Sequence, residues 1–373
     1  MSILALVLLC AAASSLRAGA GEVKLLRVPD GGIQPQVVVG GDKTVHLIYL
    51  TGKPNKAEIN YVRSRDGDAT WSKPLGASTS EAPAIASGTI RGPHLAVGPS
   101  GIVHVAWMAS PKAMMYARLP ADGQAFDPPR NLVTVHAGLD GGGSIAAAAN
   151  GRVYVAWHAP AKNPNGDEAS RRIWLATSTD DGQTFSAERA IFDRPTGACG
   201  CCGMRLFAGK DDIECLYRGA SDVTHRGLFL LASHDDGKSF AGSELAPMDL
   251  GVCLMSTVAF AADRDDVLVA WETLGKIFWG RIAHGDGTSV DRAIPATGNS
   301  KSQKHPSLAI SPSRDVCLTW TEGTRFGKGG SLAWQVYNSN GEPVAQLGHA
   351  DGVPAHSVPA AFCNEQGEFI ILY

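Results

Sequence analysis

The sequence repeats an eight-residue pattern, Ser-x-Asp-x-Gly-x-Thr-aromatic, that is typical of a tight β-hairpin. It is complete at Ser178–Phe185, recurs with Ser in place of Thr at Ser233–Phe240, and occurs at Ser64–Trp71 with the glycine moved one place forward. In such a turn the aspartate accepts hydrogen bonds from backbone amides, the glycine adopts a positive φ, and the aromatic residue packs the turn onto the sheet. Three copies in one chain predict a repeat architecture.

A second repeated element, a short strand that ends in an aromatic residue, sets the length of the repeat. Seven copies follow one another at intervals of roughly fifty residues, which is the length of a propeller blade. The composition agrees, because 18% charged residues, 43 glycines and 21 prolines suit many short strands joined by tight turns. The four clearest copies and the three looser ones are Val103–Trp107, Val153–Trp157, Val267–Trp271 and Val316–Trp320, then Val45–Tyr49, Ile213–Tyr217 and Phe369–Tyr373.

These repeats predict an all-β fold, a β-propeller of four-stranded antiparallel blades with seven inner strands. We expect residues 21–373 to form a single domain. The seventh repeat has only two strands before Tyr373, so the strand predicted within Glu22–Val28 is expected to close the ring and to cover an exposed sheet edge. A six-bladed ring with an extra C-terminal hairpin is the alternative.

The first twenty residues have the features of a secretory signal peptide. Residues 2–13 form an apolar run too short to span a bilayer, and a small-x-small cleavage site follows at Ala18–Ala20. We therefore predict a signal peptide over residues 1–20 and a secreted or periplasmic protein without stable membrane insertion. The net charge of −3 at pH 7 argues against nucleic acid as a partner. We expect a monomer that uses no cofactor.

The hairpin motifs at blade spacing resemble the Asp boxes, or BNR repeats, of the sialidase (neuraminidase) superfamily, over nearly the whole mature chain. The Cys-x-Cys-Cys segment Cys199–Cys202 is similar to one in a group of secreted bacterial sialidase-like proteins. The resemblance implies a partner that is a glycan or glycoconjugate. It implies either an exo-glycosidase that hydrolyses terminal sialic-acid-like sugars, or a non-catalytic propeller that binds a glycan or a protein.

The same resemblance implies a site in which three arginines clamp a sugar carboxylate, a Tyr–Glu pair acts as nucleophile and an Asp acts as acid and base. In a propeller, the starts of inner strands and the ends of second strands meet on the ligand face. For Arg91 and Arg218, a solvated side chain is the simpler interpretation. The candidates on that face are Glu272 and Asp140 as catalytic carboxylates, and Arg91, Arg205, Arg218 and His305 as substrate-binding residues.

Two departures from the family pattern bear on activity. The family's first arginine begins the first inner strand, where this chain has Ile33–Gln36 instead. Tyr217 and Tyr373 lie at suitable strand ends, but both occupy the repeated aromatic position that is expected to pack between blades. These departures keep catalysis and binding as open alternatives.

The cysteines pose a separate question. In-register alignment of neighbouring inner strands brings Cys201 beside Cys253, which predicts a disulfide between blades. The alternative is a thiolate metal site formed by Cys199, Cys201, Cys202 and Cys253. The cysteine spacing does not match that of a zinc ribbon, and disulfides form readily in exported proteins. The disulfide is therefore the favoured interpretation.

Overall fold

The computed structural model describes residues 22–373 apart from residues 122, 210–211, 252–253 and 264–265. Its strands form seven sheets, six with four strands and one with three. The predicted all-β propeller is therefore confirmed with seven blades, and the six-bladed alternative is wrong. The predicted signal peptide lies outside the described residues. No helix among the described residues has the length and apolar character needed to cross a membrane.

In blades one to six, the four strands follow one another in chain order from the central channel outward, and each pairs antiparallel with the next. The inner strands of blades one to seven are β2 Ile33–Val39, β6 His94–Val97, β10 Ser144–Ala147, β14 Arg205–Ala208, β18 Ala259–Asp263, β22 Gln303–Ile310 and β26 Ala360–Cys363. The second strands are β3 Val45–Lys53, β7 Val103–Ser110, β11 Val153–Pro160, β15 Ile213–Arg218, β19 Asp266–Thr273, β23 Val316–Glu322 and β27 Phe369–Leu372.

The outer half of each blade contains a third strand and, in blades one to six, a fourth. The third strands are β4 Lys56–Ser64, β8 Ala113–Leu119, β12 Arg171–Ser178, β16 Leu228–Ser233, β20 Lys276–Arg281 and β24 Gly330–Tyr337. The fourth strands are β5 Leu75–Gly76, β9 Arg130–Asn131, β13 Arg189–Ala190, β17 Ala241–Ala246, β21 Ile294–Pro295 and β25 Gly348–Val353. Two single 3-10 turns, Pro29–Gly31 and Glu168–Ser170, lie between strands.

The ring closes as the sequence predicts. The N-terminal strand β1, Val23–Leu26, pairs in parallel with β27 of blade seven, and the register runs from Val23 opposite Phe369 to Leu26 opposite Leu372. The first and last segments of the described chain thus share one blade. Because this pairing covers the outer edge of β27, the two ends of the chain hold the ring shut.

The aromatic residues at the ends of the second strands form the core between blades. Trp107 packs in the cluster shared by blades one and two, and Trp157 in the cluster shared by blades two and three. All seven are at most 9% exposed. Tyr217 donates to or accepts from Thr196 Oγ1 at 2.7 Å, and burial raises the pKa of its phenol. Packing between blades therefore accounts for this tyrosine.

The Asp boxes make the hairpins that the sequence predicts. Asp180 accepts hydrogen bonds from Ser178 Oγ at 2.7 Å and from Thr184 N and Oγ1 at 2.8 and 2.6 Å. Asp66 and Asp235 have the same set of contacts in their own boxes. These hydrogen bonds, the threonine hydroxyl first, lower the pKa of Asp66 and of Asp180 to about 2.

The Asp boxes also define the two faces of the ring. The box in blade three contacts the turn between β10 and β11, where Asp181 N donates to Gly151 O at 3.2 Å. We call this side the Asp-box face. The opposite side, where inner strands begin and second strands end, is the ligand face.

Candidate functional site

Two long connections stand out on the ligand face. Residues 161–170 join β11 to β12 in blade three and residues 219–227 join β15 to β16 in blade four, whereas residues 54–55 suffice in blade one. The first connection carries Glu168 and the second carries Arg226. The two connections project from neighbouring blades on the same face, so their side chains can form a binding site between them.

A continuous chain of ion pairs links these connections. Arg91 Nη2 lies 2.7 Å from Asp140 Oδ1, and Arg171 Nη2 lies 3.3 Å from Asp140 Oδ2. The other terminal nitrogen of Arg171 lies 3.3 Å from Glu168 Oε1, and Arg226 Nη2 lies 2.7 Å from Glu168 Oε2. We call these five residues the ionic cluster. Because each carboxylate contacts a different end of one planar guanidinium, the two carboxylates are at most about 9 Å apart.

The two carboxylates of the ionic cluster are partly exposed, whereas two of its three arginines are nearly buried. The side chains of Asp140 and Glu168 are 44% and 29% exposed, against 9% and 11% for Arg171 and Arg226. Burial acts to raise the pKa of both carboxyl groups, but the hydrogen bonds from Arg91 and Arg226 and the charge of Arg171 outweigh it, so both pKa values are lowered. The cluster therefore presents two ionised hydrogen-bond acceptors at the surface.

The Cys199–Cys202 segment is part of this arrangement. Gly200 N donates to Glu168 Oε1 at 2.8 Å. A Cβ at this position would overlap the Asp140 carboxylate and the Arg171 guanidinium. Only glycine allows the backbone to approach both groups so closely, so the glycine of the Cys-Gly-Cys-Cys segment is needed to complete the cluster.

Two of the predicted clamp arginines have separate partners. Arg91 belongs to the ionic cluster, where its Nε also donates to Asp140 O at 2.5 Å. Arg218 is 4% exposed and donates to the backbone oxygens of Arg226, at 2.8 Å, and of Glu272. The simpler expectation of a solvated Arg218 is wrong, because its guanidinium satisfies carbonyl groups at the buried ends of strands and loops.

Arg205, the third of the predicted clamp arginines, faces the central channel. Its guanidinium donates to Gln36 Oε1 and to Val258 O, the latter at 3.3 Å. The channel has a volume of about 1080 Å³ and extends past Gly67 and Glu365 at the Asp-box face. The three arginines thus contact three different sets of partners, and the structure does not bring them to one shared acceptor.

Two other residues predicted for the site, Glu272 and His305, are buried. Glu272 is fully buried in β19, accepts a hydrogen bond from Gly275 N, and lies 3.9 Å from Arg218; burial raises the pKa of its carboxyl group. His305 is 3% exposed, and burial lowers the pKa of its imidazole to about 3. Asp140, by contrast, is exposed, so Glu272 and Asp140 do not form one open pair of carboxylates.

The cysteine segment brings three sulfur atoms together. Cys199 Sγ lies 3.1 Å from Cys201 Sγ and 3.5 Å from Cys202 Sγ. Cys199 and Cys202 are free thiols, and Cys201 is disulfide-bonded. Cys253 lies outside the described residues, so its pairing with Cys201 stays a prediction, as does its role as a metal ligand. The three described sulfurs all lie within 4.8 Å of one another, so they could share an ion only if the disulfide of Cys201 were reduced.

Three members of the ionic cluster were not predicted from the sequence: Glu168, Arg171 and Arg226. Glu168 and Arg226 lie in connections without repeat character, and Arg171 is the first of two arginines that begin β12. The available signal was the length of the connections in blades three and four. A ring of equal blades has no structural need for extra residues on one face, so such insertions point to function.

No family model matches the chain, and no curated protein matches it by sequence. Among solved structures, a protein of unknown function from Dyadobacter fermentans matches with a TM-score of 0.57 at 14% identity, over 85% of this chain and 97% of that one. The Fusarium graminearum α-L-arabinofuranosidase Arb93A, solved with an iminosugar inhibitor, matches with a TM-score of 0.53 at 12% identity, over 86% and 98%. A mutant Aleuria aurantia lectin in complex with Fucα1-6GlcNAc matches with a TM-score of 0.52 at 13% identity, over 87% and 97%. At this identity the similarity shows that the chain shares its fold with these proteins.

Proposed function

We propose that this protein is a secreted or periplasmic propeller that binds carbohydrate on its ligand face, at the ionic cluster. One observation carries the proposal: Asp140 and Glu168 are partly exposed carboxylates that neighbouring guanidiniums hold in place and keep ionised. A lectin and an arabinofuranosidase with the same fold, solved with a glycan and with an iminosugar, give a reason to test sugars first.

The chemistry of the cluster suits sugar hydroxyls. Ionised carboxylates only accept hydrogen bonds, and each accepts a pair of neighbouring hydroxyl donors. Asp140 and Glu168 need little reorganisation on binding, because their positions are set by Arg171 and by the Gly200 amide. A fixed site avoids part of the entropy cost of ordering side chains around a ligand. Arg91, which is 24% exposed, adds a donor at the edge of the site.

The test is a binding screen followed by calorimetry. The wild-type protein is presented with a glycan array that includes neutral and acidic sugars, and the best ligand is titrated against Asp140→Asn and Glu168→Gln. Losing one charged acceptor should weaken binding by roughly 10- to 100-fold. The matched control is Asp127→Asn, which removes an exposed carboxylate paired with Arg118 and should bind as wild type does. Equal affinity in all four proteins, or no glycan bound at all, would refute the proposal.

Glycoside hydrolysis is the second candidate function, including cleavage of terminal sialic-acid-like sugars. A separation of at most about 9 Å between the Asp140 and Glu168 carboxylates allows the spacing of inverting glycosidases, roughly 6.5–9.5 Å, as well as the roughly 5–5.5 Å of retaining ones. Hydrolysis also needs one protonated carboxyl group, whereas the pKa of both groups is lowered. Binding without hydrolysis is therefore better supported.

Fluorogenic glycosides separate the two functions. A sialoside and a set of neutral glycosides are incubated with wild type, Glu168→Gln and Arg205→Ala. If wild type hydrolyses the sialoside and Arg205→Ala does not, the protein is a sialidase that depends on Arg205, and glycan binding is the first step of that hydrolysis. Turnover of a neutral glycoside that disappears only in Glu168→Gln would assign the reaction to the ionic cluster. Binding without turnover of any glycoside would support the non-catalytic function.

A further inference from the structure

The Cys199–Cys202 segment combines two free thiols and one disulfide sulfur in a single contact group. Cys199 Sγ is the central atom, 3.1 Å from Cys201 Sγ and 3.5 Å from Cys202 Sγ. Cys199 and Cys202 have the Cys-x-x-Cys spacing that brings two thiols together in redox proteins. They are buried, whereas Cys201 is partly exposed. The group therefore has a buried dithiol and a disulfide sulfur that solvent can reach.

The charges around the sulfurs favour thiolates over a metal cation. Arg226 Nη1 lies 3.2 Å from Cys199 Sγ, and the positive charge of Arg218 acts on Cys202. The thiol of Cys199 donates to Cys202 Sγ, and this hydrogen bond, followed by the Arg218 charge, lowers the pKa of Cys202 while the pKa of Cys199 is raised. Guanidiniums this close would repel a bound metal cation, but they stabilise a thiolate.

We propose that Cys199 and Cys202 form a redox-active dithiol that exchanges with the disulfide of Cys201 and, through Cys201, with small external thiols and disulfides. This inference does not depend on the proposed binding of carbohydrate.

The exchange balances without an outside oxidant. The Cys202 thiolate takes the proton of Cys199, and the Cys199 thiolate attacks Cys201 Sγ. A Cys199–Cys201 bond forms, and the bond between Cys201 and its original partner breaks, with the electron pair leaving on the partner sulfur. The Cys202 thiolate then attacks Cys199 Sγ, a Cys199–Cys202 bond forms, and the Cys199–Cys201 bond breaks with the electron pair leaving on Cys201. The products are a Cys199–Cys202 disulfide, a reduced Cys201 and a reduced partner thiol, and the two protons of the original dithiol pass through solvent to the two released thiolates.

An external disulfide restores the disulfide of Cys201, and two external thiols later return the Cys199–Cys202 disulfide to the dithiol while they are oxidised to a disulfide. A reduced Cys201 thiolate attacks an external disulfide, forms a mixed disulfide, and is returned to its bonded state when its original partner displaces the external thiol. The external disulfide is reduced to two thiols, and the protein dithiol supplies the two electrons. The substrate class is therefore a low-molecular-weight thiol–disulfide couple, for which glutathione is a suitable probe.

The first test uses the unmodified protein and so does not depend on the folding of a variant. The protein is equilibrated with glutathione mixtures of graded redox ratio, quenched with acid, alkylated, and mapped by mass spectrometry. We expect Cys199 and Cys202 to lose alkylation together as the mixture becomes more oxidising, with a Cys199–Cys202 disulfide among the products. Cys363, a free and partly exposed thiol, should stay alkylated over that range. If Cys199 and Cys202 stay alkylated at every ratio, the proposal is wrong.

The second test measures rates with a chromogenic disulfide. We expect wild type to react at least tenfold faster than Cys199→Ser, and Arg226→Met to be roughly tenfold slower than wild type at pH 7, because a guanidinium beside Cys199 is lost. Cys363→Ser is the matched control and should keep the wild-type rate. Equal rates in wild type and Cys199→Ser would overturn the proposal. Purified protein that holds one equivalent of zinc or copper and protects Cys199 and Cys202 from alkylation would overturn it in favour of a metal site.

Discussion

Replacement of Arg171 by methionine tests whether the ionic cluster is held together by charge. The Arg171 guanidinium lies between the two carboxylates, 3.3 Å from Asp140 and 3.3 Å from Glu168, and also donates to Ala198 O at 3.2 Å. Methionine keeps most of the volume of the side chain and removes the charge and all three hydrogen bonds. The carboxylates would then be held by Arg91 and Arg226 at the outer ends of the cluster and by the Gly200 amide, which donates to Glu168.

The expected cost follows from the geometry. A hydrogen bond to a charged group contributes about 1.5–3 kcal/mol when buried. Here the two ion-pair contacts are long and the carboxylates are 44% and 29% exposed, so water replaces part of what is lost. Arg171 Nε also has no hydrogen-bond partner among the described residues, which offsets some of the loss. We expect Arg171→Met to lower the free energy of unfolding by about 2 kcal/mol at pH 7.

The pH dependence separates charge from packing. The pKa values of Asp140 and Glu168 in the folded protein are below their ordinary values of 3.8 and 4.5. Their contribution to stability is therefore complete above the unfolded pKa values and is lost as pH falls through the folded ones. Urea unfolding of wild type and variant at pH 7, 5 and 3 should show a difference that is largest at pH 7 and shrinks below about pH 4. A difference that stays constant from pH 7 to pH 3 would refute the ionic explanation and leave lost packing as the cause.

Three further predictions concern stability. Asp180→Ala should lower the free energy of unfolding by about 1–2 kcal/mol, because Thr184 and Ser178 lose their acceptor, and should leave glycan binding unchanged in calorimetry. Glu188→Gln should lower the free energy of unfolding by about 2 kcal/mol at pH 7, because the buried carboxylate accepts hydrogen bonds from three backbone N–H groups. The pKa of Glu188 is lowered to about 2, so the loss of stability measured in urea should fade as pH drops from 4.5 toward 2. A loss that does not change with pH would contradict this prediction. Trp157→Ala should cost about 3–5 kcal/mol in urea unfolding, because its fully buried ring fills the core between blades two and three, and a loss below about 1 kcal/mol would contradict that packing role.

The fold was predictable because its determinants are local and repeated. An Asp box needs only residues within eight positions, and Ser178–Phe185 shows its hairpin chemistry in its own side chains. The apolar second strand with its aromatic residue, as at Val153–Trp157, is short and fully buried, which makes it recognisable as a repeated core element. Repetition of both elements gave the number of inner strands. The choice between six and seven blades depended on whether Val23–Leu26 pairs with the last strand, which local sequence could suggest but not decide.

The site was less predictable, because most of its contacts join residues of neighbouring blades that are far apart in the sequence. The amino-acid pattern was enough to predict the all-β propeller, the positions of its hairpins and the strand ends that reach the ligand face. The folded structure was needed to show that Arg205 faces the channel, that Glu272 is buried, and that Glu168 and Arg226 from two irregular connections pair beside the cysteine segment. This difference arises because hairpin formation depends on backbone geometry within a few residues, whereas the partner of a charged side chain depends on packing between blades.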